Sequence, residues 1–194
     1  MAGFDQERFK ALVLYIAIRR RDDPRFGRTK LAKALFYSDF EHYKAFEAPI
    51  TGATYIRLPN GPFPRQLHEA EQQLAGEGFV FADYLKEEYE EKRLVPLKSF
   101  PVKWTKLFSD IQLEIAELWA ERVGSASARQ ISELSHDHPG WLLAERDGAE
   151  IPYQTATLPL DRPSPYQVER AKEVARERGW LSADGKWQWE RESA

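Results

Sequence analysis

A helix that is apolar on two faces cannot lie on a protein surface, and residues 29–48 of this chain read as such a helix. Leu31, Ala34, Leu35 and Ser38 make one stripe at the helical period, and Phe36, Phe40 and Tyr43 make a second beside it. Other elements must therefore pack around this segment on more than one side. Thr29 is its candidate N-cap, Lys33, Asp39, Glu41 and Lys44 are expected on a narrow solvent face, and Ala48-Pro49 ends it. Ile50 to Leu58, rich in β-branched and aromatic residues, reads as a strand. Pro59-Asn60-Gly61-Pro62 follows as a turn, in which Pro presets one torsion and Asn or Gly accepts the left-handed one.

The flanking elements follow from the same local rules. Phe9, Leu12, Val13, Ile16 and Ala17 share one face of a first helix, with Asp5 as N-cap, Arg19 to Arg21 in the last turn and Asp22-Asp23-Pro24 as its stop. Pro64 suits the first turn of a third helix, Arg65 to Ala75, that buries Leu67, Ala70 and Leu74 and stops at Gly76 or Gly78. Phe79 to Leu85 and Leu94 to Leu97 are expected to pair as a hairpin whose tip is the charge-dense segment Lys86 to Arg93, Pro96 holding the return strand to an edge. An irregular connector is expected from Phe100 to Phe108.

Two capping boxes, Ser109 with Gln112 and Ser127 with Gln130, open two further helices. The first is expected to bury Ile111, Ile115, Leu118 and Trp119 and to stop at Gly124, and the second carries Ile131 and Leu134. Pro139 starts one more helical turn, and Ile151-Pro152-Tyr153 reads as extended chain. The Pro-rich stretch Leu158 to Pro165 is extended too, and a last helix from Ser164 to Gly179 leads into a tail in which Trp180-Leu181, then Asp184-Gly185, then Trp187 and Trp189 are expected to form a small hairpin around a turn. The fold class is therefore α+β, mostly α, in winged-helix-like order. The domain is expected over residues 1–155, with a C-terminal extension, expected to dock on it, over residues 156–194.

Composition narrows the chemistry. Cysteine is absent, which excludes disulfides, thiol nucleophiles and zinc–thiolate sites. With 28 basic and 31 acidic residues the net charge is −3, so the whole-molecule field does not attract a polyanion. The first apolar run, Ala11 to Ile18, is far short of the roughly 20 residues that span a bilayer, and the expected protein is soluble and cytoplasmic, without a signal peptide. Gly-rich phosphate loops and a GxSxG elbow are both missing. His136-Asp137-His138 is a compact donor cluster, but nothing in the sequence brings a third ligand to it, and structural roles are preferred, His136 as a hydrogen-bonding residue at a helix end. Ser135 beside His136 is adjacency, whereas a triad is defined by geometry. In a winged-helix scheme the groove-entering helix would set Arg65 and His68 against Glu69, Glu71 and Glu77, so the basic cluster from Arg19 to Lys33 is the better DNA candidate.

One resemblance goes further. Lys30, Leu31, Lys33, Leu35, Phe36, Tyr37 and Asp39 on the helix, Ile50, Thr51, Gly52 and Tyr55 after it, and Pro59, Gly61 and Pro62 in the turn resemble the signature of the Panacea domain, also called the SocA-like antitoxin domain. Leu134-Ser135-His136, Pro139-Gly140-Trp141, Gly148 and Ile151-Pro152-Tyr153 resemble its second block. The resemblance implies a mostly helical domain with a small β element, used in bacteria and phages as the antitoxin half of toxin–antitoxin pairs. It implies neutralisation by protein–protein contact, with a protein toxin as partner, no enzymatic residues and no cofactor. A protease adaptor or a stand-alone phage accessory protein of the same fold is the alternative, with a protease as a second partner, and a winged-helix DNA-binding regulator is a further one. Nucleic acid and membrane are not expected partners, and the oligomeric state is open. Candidate contact residues are Tyr37, Asp39, Tyr55, Arg57, His136 and Trp141, motif-region positions that offer an aromatic face or a polar handle.

Overall fold

Both apolar stripes of the second helix are covered. In the computed structural model, which describes residues 3–82, 93–158, 165–182, 185 and 188, this helix, α2, spans Arg28–Phe46. It packs against α1 (Gln6–Arg19), α5 (Asp110–Ser125), α6 (Ala128–His136) and the 3-10 helix Tyr153–Thr157. Enclosure on so many sides leaves little solvent face. Glu41 and Lys44 are exposed as expected, but Lys33 and Asp39 are buried, at 1% and 0% exposure, which corrects the expectation that they face water.

The helix ends obey local rules with one exception. Asp5 caps α1 by accepting the Arg8 N–H at 3.0 Å. The N-cap of α2 is Gly27 rather than Thr29, because the helix begins at Arg28, and it has no side-chain cap. Glu47 closes α2 in the left-handed conformation, at φ 56°, just before Ala48-Pro49. Ser109 and Ser127 open α5 and α6 with both capping boxes formed.

The expected strand from Ile50 to Leu58 shrinks to β1 (Tyr55–Ile56), because Thr51 is engaged by a side chain of α2 instead of a ladder. β1 is the middle strand of an antiparallel sheet, between β2 (Phe63–Pro64) and β5 (Glu150–Ile151). Tyr55 faces Pro64 on one side and Ile151 on the other. Pro64 thus belongs to an edge strand, where a missing N–H is tolerated, and α3 begins later, spanning Leu67–Gly76. β3 (Val80–Ala82) pairs antiparallel with β4 (Leu94–Pro96). The expected strand end at Leu85 and all of the charged tip before Arg93 lie outside the described residues.

Where an irregular connector is expected, Val102–Thr105 forms a short helix, α4, that buries Trp104. The buried face of α5 is only partly the expected one: Ile115 and Trp119 are half-buried against the core. Ala116, Ala120, Val123 and Gly124 face inward, while Ile111 and Leu118 are 41% and 42% exposed. Small residues let α5 approach α2 closely, and that tight contact outweighs burial of the bulkier stripe. α7 spans Pro139–Leu143, and the chain after β5 turns into the 3-10 helix rather than staying extended. Among the described residues 57% are helix and 8% strand, and the fold is α+β, mostly α. Among the described residues no helix is long and apolar enough to cross a membrane.

The last helix, α8, spans Pro165–Glu177. Ala175 and Leu181 are buried, Trp180 is 45% exposed, and Lys172 Nζ lies 3.4 Å from Glu145. Most of the Pro-rich stretch (159–164, with the expected cap Ser164) lies outside the described residues, as do Trp187 and Trp189 of the expected hairpin, while across its turn the Gln188 N–H donates to the Trp180 carbonyl at 2.7 Å. Deleting residues 164–194 removes the buried Leu181 side chain. The loss of about 2 kcal/mol should lower the melting temperature of the remaining domain by roughly 4–8 °C, read by circular dichroism.

Candidate functional site

Because α2 has almost no solvent face, Asp39 enters the core, and its carboxylate must find donors there. Its Oδ1 accepts the Thr51 N–H at 2.8 Å, and its Oδ2 accepts the Thr51 hydroxyl at 2.6 Å and the Tyr55 hydroxyl at 2.8 Å. The Tyr153 hydroxyl lies 3.4 Å from the same oxygen and donates to the Ala53 carbonyl at 2.6 Å. The Thr51 carbonyl in turn accepts the N–H of Asp5 at 3.0 Å. One carboxylate therefore ties α2 to the segment after it, to the start of α1 and to the 3-10 helix. Gly52, at φ 71°, carries the chain round this tie, and a side chain there would meet the Gly3 carbonyl at 2.8 Å.

Desolvation pushes the Asp39 carboxyl above its usual range, against the opposing pull of the hydrogen bonds from Thr51, Tyr55 and the backbone at Ile50. Burial raises Tyr55 and Tyr153 well above the ordinary phenol value, and the nearby carboxylate adds to it. Rings enclose the group: Phe36 lies 5.4 Å from Tyr55, and Phe40 lies 4.9 Å from Tyr153. His138, 4.8 Å from Phe36, is the N-cap of α7 and accepts the Gly140 N–H at 3.0 Å. Burial lowers its pKa to about 4, so it is a neutral structural imidazole.

A second set of contacts holds the Leu58–Pro62 turn. Gly61 sits at φ 92° with its N–H on the Leu58 carbonyl at 2.9 Å, and a side chain there would collide with Ser135 Oγ. Lys33 Nζ donates to the Pro62 carbonyl at 2.8 Å, Trp141 Nε1 donates to the Leu58 carbonyl at 3.1 Å, and the His136 ring bonds the Pro59 carbonyl. Arg57 Nη1 reaches the carbonyls of Trp141 and Ala144, both at 2.9 Å, and its guanidinium lies 3.8 Å from the Trp141 ring centroid. The His136 ring stacks on Trp141 at 4.2 Å. Desolvation lowers the His136 pKa, with the charges of Lys33 and Arg57 adding to it. Burial lowers Lys33 to about 7.

Of the six candidate contact residues, Arg57, His136 and Trp141 are thus brought into one half-buried unit against the turn. Tyr37, also half-buried, stacks on Trp119 at 4.3 Å, and burial and then the charge of Asp137 raise its pKa. Asp39 and Tyr55 stand apart from these four, at 0% and 1% exposure, and in this conformation they act from the interior. His136 and His138 serve different neighbours, the turn and the α7 cap, rather than a common centre. Lys33, Thr51, Tyr153 and His138 complete the site, and sequence reasoning gives none of them a contact role. The available signal was a lysine and an aspartate six residues apart inside a helix otherwise apolar on two faces.

A model of the family described as antitoxin SocA-like, Panacea domain, matches residues 31–142, more than half of the chain. No curated protein and no solved structure matches it. The matched span holds Lys33, Asp39, Thr51, Tyr55, the turn, His136 and Trp141, while Tyr153 lies beyond it.

Two pH dependences follow from the buried charges. A carboxyl whose native pKa is raised above its ordinary 3.8 holds its proton more tightly in the fold. Its contribution to stability is complete below that value and is lost as pH rises through the native one. Asp39→Asn should therefore cost about 1–3 kcal/mol in urea melts near pH 4 and less near pH 8. Lys33 has the opposite sign of effect: its native pKa lies below its ordinary 10.5, so stability rises with pH between about 7 and 10.5. Lys33→Met should gain about 1–3 kcal/mol over wild type at pH 6, with the gain vanishing near pH 10.5.

Proposed function

The chain belongs to the antitoxin SocA-like, Panacea domain family, and from that membership we propose that it binds and neutralises a cognate protein toxin by direct contact, as one half of a bacterial or phage toxin–antitoxin pair in the cytoplasm. The observation that carries the reading is the Arg57–Trp141–His136 unit. Its side chains are half-buried, aromatic or cationic, and held in place by hydrogen bonds to the turn and to α7. Tryptophan, tyrosine and arginine dominate binding hot spots because they bury a large area at low entropic cost. Side chains already immobilised lose even less on binding.

In this reading Tyr37, Arg57, His136 and Trp141 face the partner. Asp39 and Tyr55 contribute by keeping the segment before the turn in register with α2, which is why family-motif positions can be needed for binding without touching anything outside the fold. Neutralisation by occlusion asks only for a well-ordered surface, and a rigid turn provides one.

The test is co-expression with the products of adjacent genes. A neighbour that arrests growth alone and is tolerated together with this chain is expected, as is a stable complex of the two in pull-down. Trp141→Ala and Tyr37→Ala, each checked for folding by circular dichroism, should weaken that complex about tenfold or more. If no adjacent gene product is toxic, the proposal fails for this protein.

A further inference from the structure

The Pro59–Pro62 turn also walls a cleft of about 710 Å³ that lies between the start of α2 and the junction of α5 with α6. Five cationic residues line it, Arg25, Arg28, Lys30, Lys33 and Arg93, and among the described residues its lining holds no Asp or Glu. The chain as a whole carries −3, so this concentration of positive charge is local. Among the described residues it is also only partly neutralised from behind. Arg28 pairs with the buried Glu71 at 3.0 Å, and Lys30, whose Nζ donates to the Gly124 carbonyl at 3.1 Å, has Asp23 at 3.8 Å. The Arg93 guanidinium donates to the Arg21 carbonyl, a neutral acceptor. Among the described residues Lys33 bonds only a carbonyl, that of Pro62, no carboxylate offsets its charge, and its lowered pKa has desolvation as its cause.

A buried ammonium without a counter-ion is costly, and an anion above it lowers that cost. Arg25 is exposed, and Arg28, Thr29 and Arg93 are half-buried, so they offer direct contacts, while Lys30 and Lys33 add charge beneath them. α2 starts here from a glycine N-cap without a side-chain cap, which adds its partial positive end to the same field. Phe63, Leu58 and Ala126 supply apolar wall, with the Arg28 guanidinium 5.0 Å from the Phe63 ring. The volume lies within the range of small-molecule sites, roughly 300–1,000 Å³.

We infer that this cleft binds a phosphorylated small molecule of nucleotide size, with its phosphates over Lys33 between Arg25, Arg28 and Arg93 and its remaining part against Phe63. Duplex DNA fits the charge but not the shape. Lys30 and Lys33 are 2% and 1% exposed at the base of a concavity, where phosphates on a rigid double helix cannot reach them.

Isothermal titration of the full chain at physiological salt, with ATP and inorganic tripolyphosphate as separate probes, tests this. One-site binding in the micromolar range is expected, weakened about tenfold or more by Arg25→Ala and by Lys33→Met. Arg25 is exposed, so its variant keeps the fold whatever happens at Lys33. Equal affinity for both probes assigns recognition to the phosphates and sustains the inference. No heat with either probe at millimolar concentration overturns it, as does binding that both variants leave unchanged. Tighter binding of a 20-base-pair duplex, lost in the same variants, overturns it in favour of nucleic acid.

Discussion

The contact of the Asp39 carboxylate with Thr51 and Tyr55 is the one on which the arrangement of this protein depends. It joins a helix to the residues that follow that helix, and it does so inside an aromatic shell where water cannot substitute. A carboxylate in such a place costs several kcal/mol unless donors surround it, so the donors and the acid hold one another in position. Shortening of β1, the path of the chain through Gly52 and the placement of the 3-10 helix all follow from satisfying that one group. Strand pairing is the lesser force in this region, since a two-residue ladder contributes little by itself.

The same helix sets the charge on the other side of the turn. Lys33 lies six residues before Asp39, about 120° away round the helix, and reaches the Pro62 carbonyl as Asp39 reaches Thr51. One buried acid and one buried base thus pin the two ends of the segment from Thr51 to Pro62 without pairing with each other. Around that segment the cationic lining of the cleft and the Trp141 unit share a common wall, Leu58 and Pro59. A rigid turn between a charged cleft and an aromatic surface is what the core chemistry of α2 produces at the outside of the molecule.

Legibility from sequence divides by range. The Asp5 cap, both capping boxes, the Pro-Asn-Gly-Pro turn and the Gly78 stop of α3 are readable because each depends on residues within a few positions of each other. The whole inward face of α5 is not. Its bulky stripe, Ile111 and Leu118, has the right period, but the close approach of α2 favours the small residues Ala116, Ala120 and Gly124. Nor is the start of α2 readable, because Thr29 is a good cap by type while the helix is already under way at Arg28. Of the site, the family resemblance picks out the motif positions but says nothing of which are buried. Thr51 and Tyr153 stand in those motifs, yet their common partner is visible only once the chain is folded.

By itself the sequence determined the helical period, the caps, the turn and the family, all of them properties of short windows or of residue order. Tertiary structure alone decided which polar groups would be taken from water and what would answer them. Asp39 meets Thr51 across 12 residues and Tyr153 across 114, and Lys33 meets Pro62 across 29. No local propensity encodes such distances, because the free energy of burying a charge is set by every element packed around it. Asp39 reads as a solvent-facing residue when α2 is considered alone, and becomes the centre of the core when the other helices close over it.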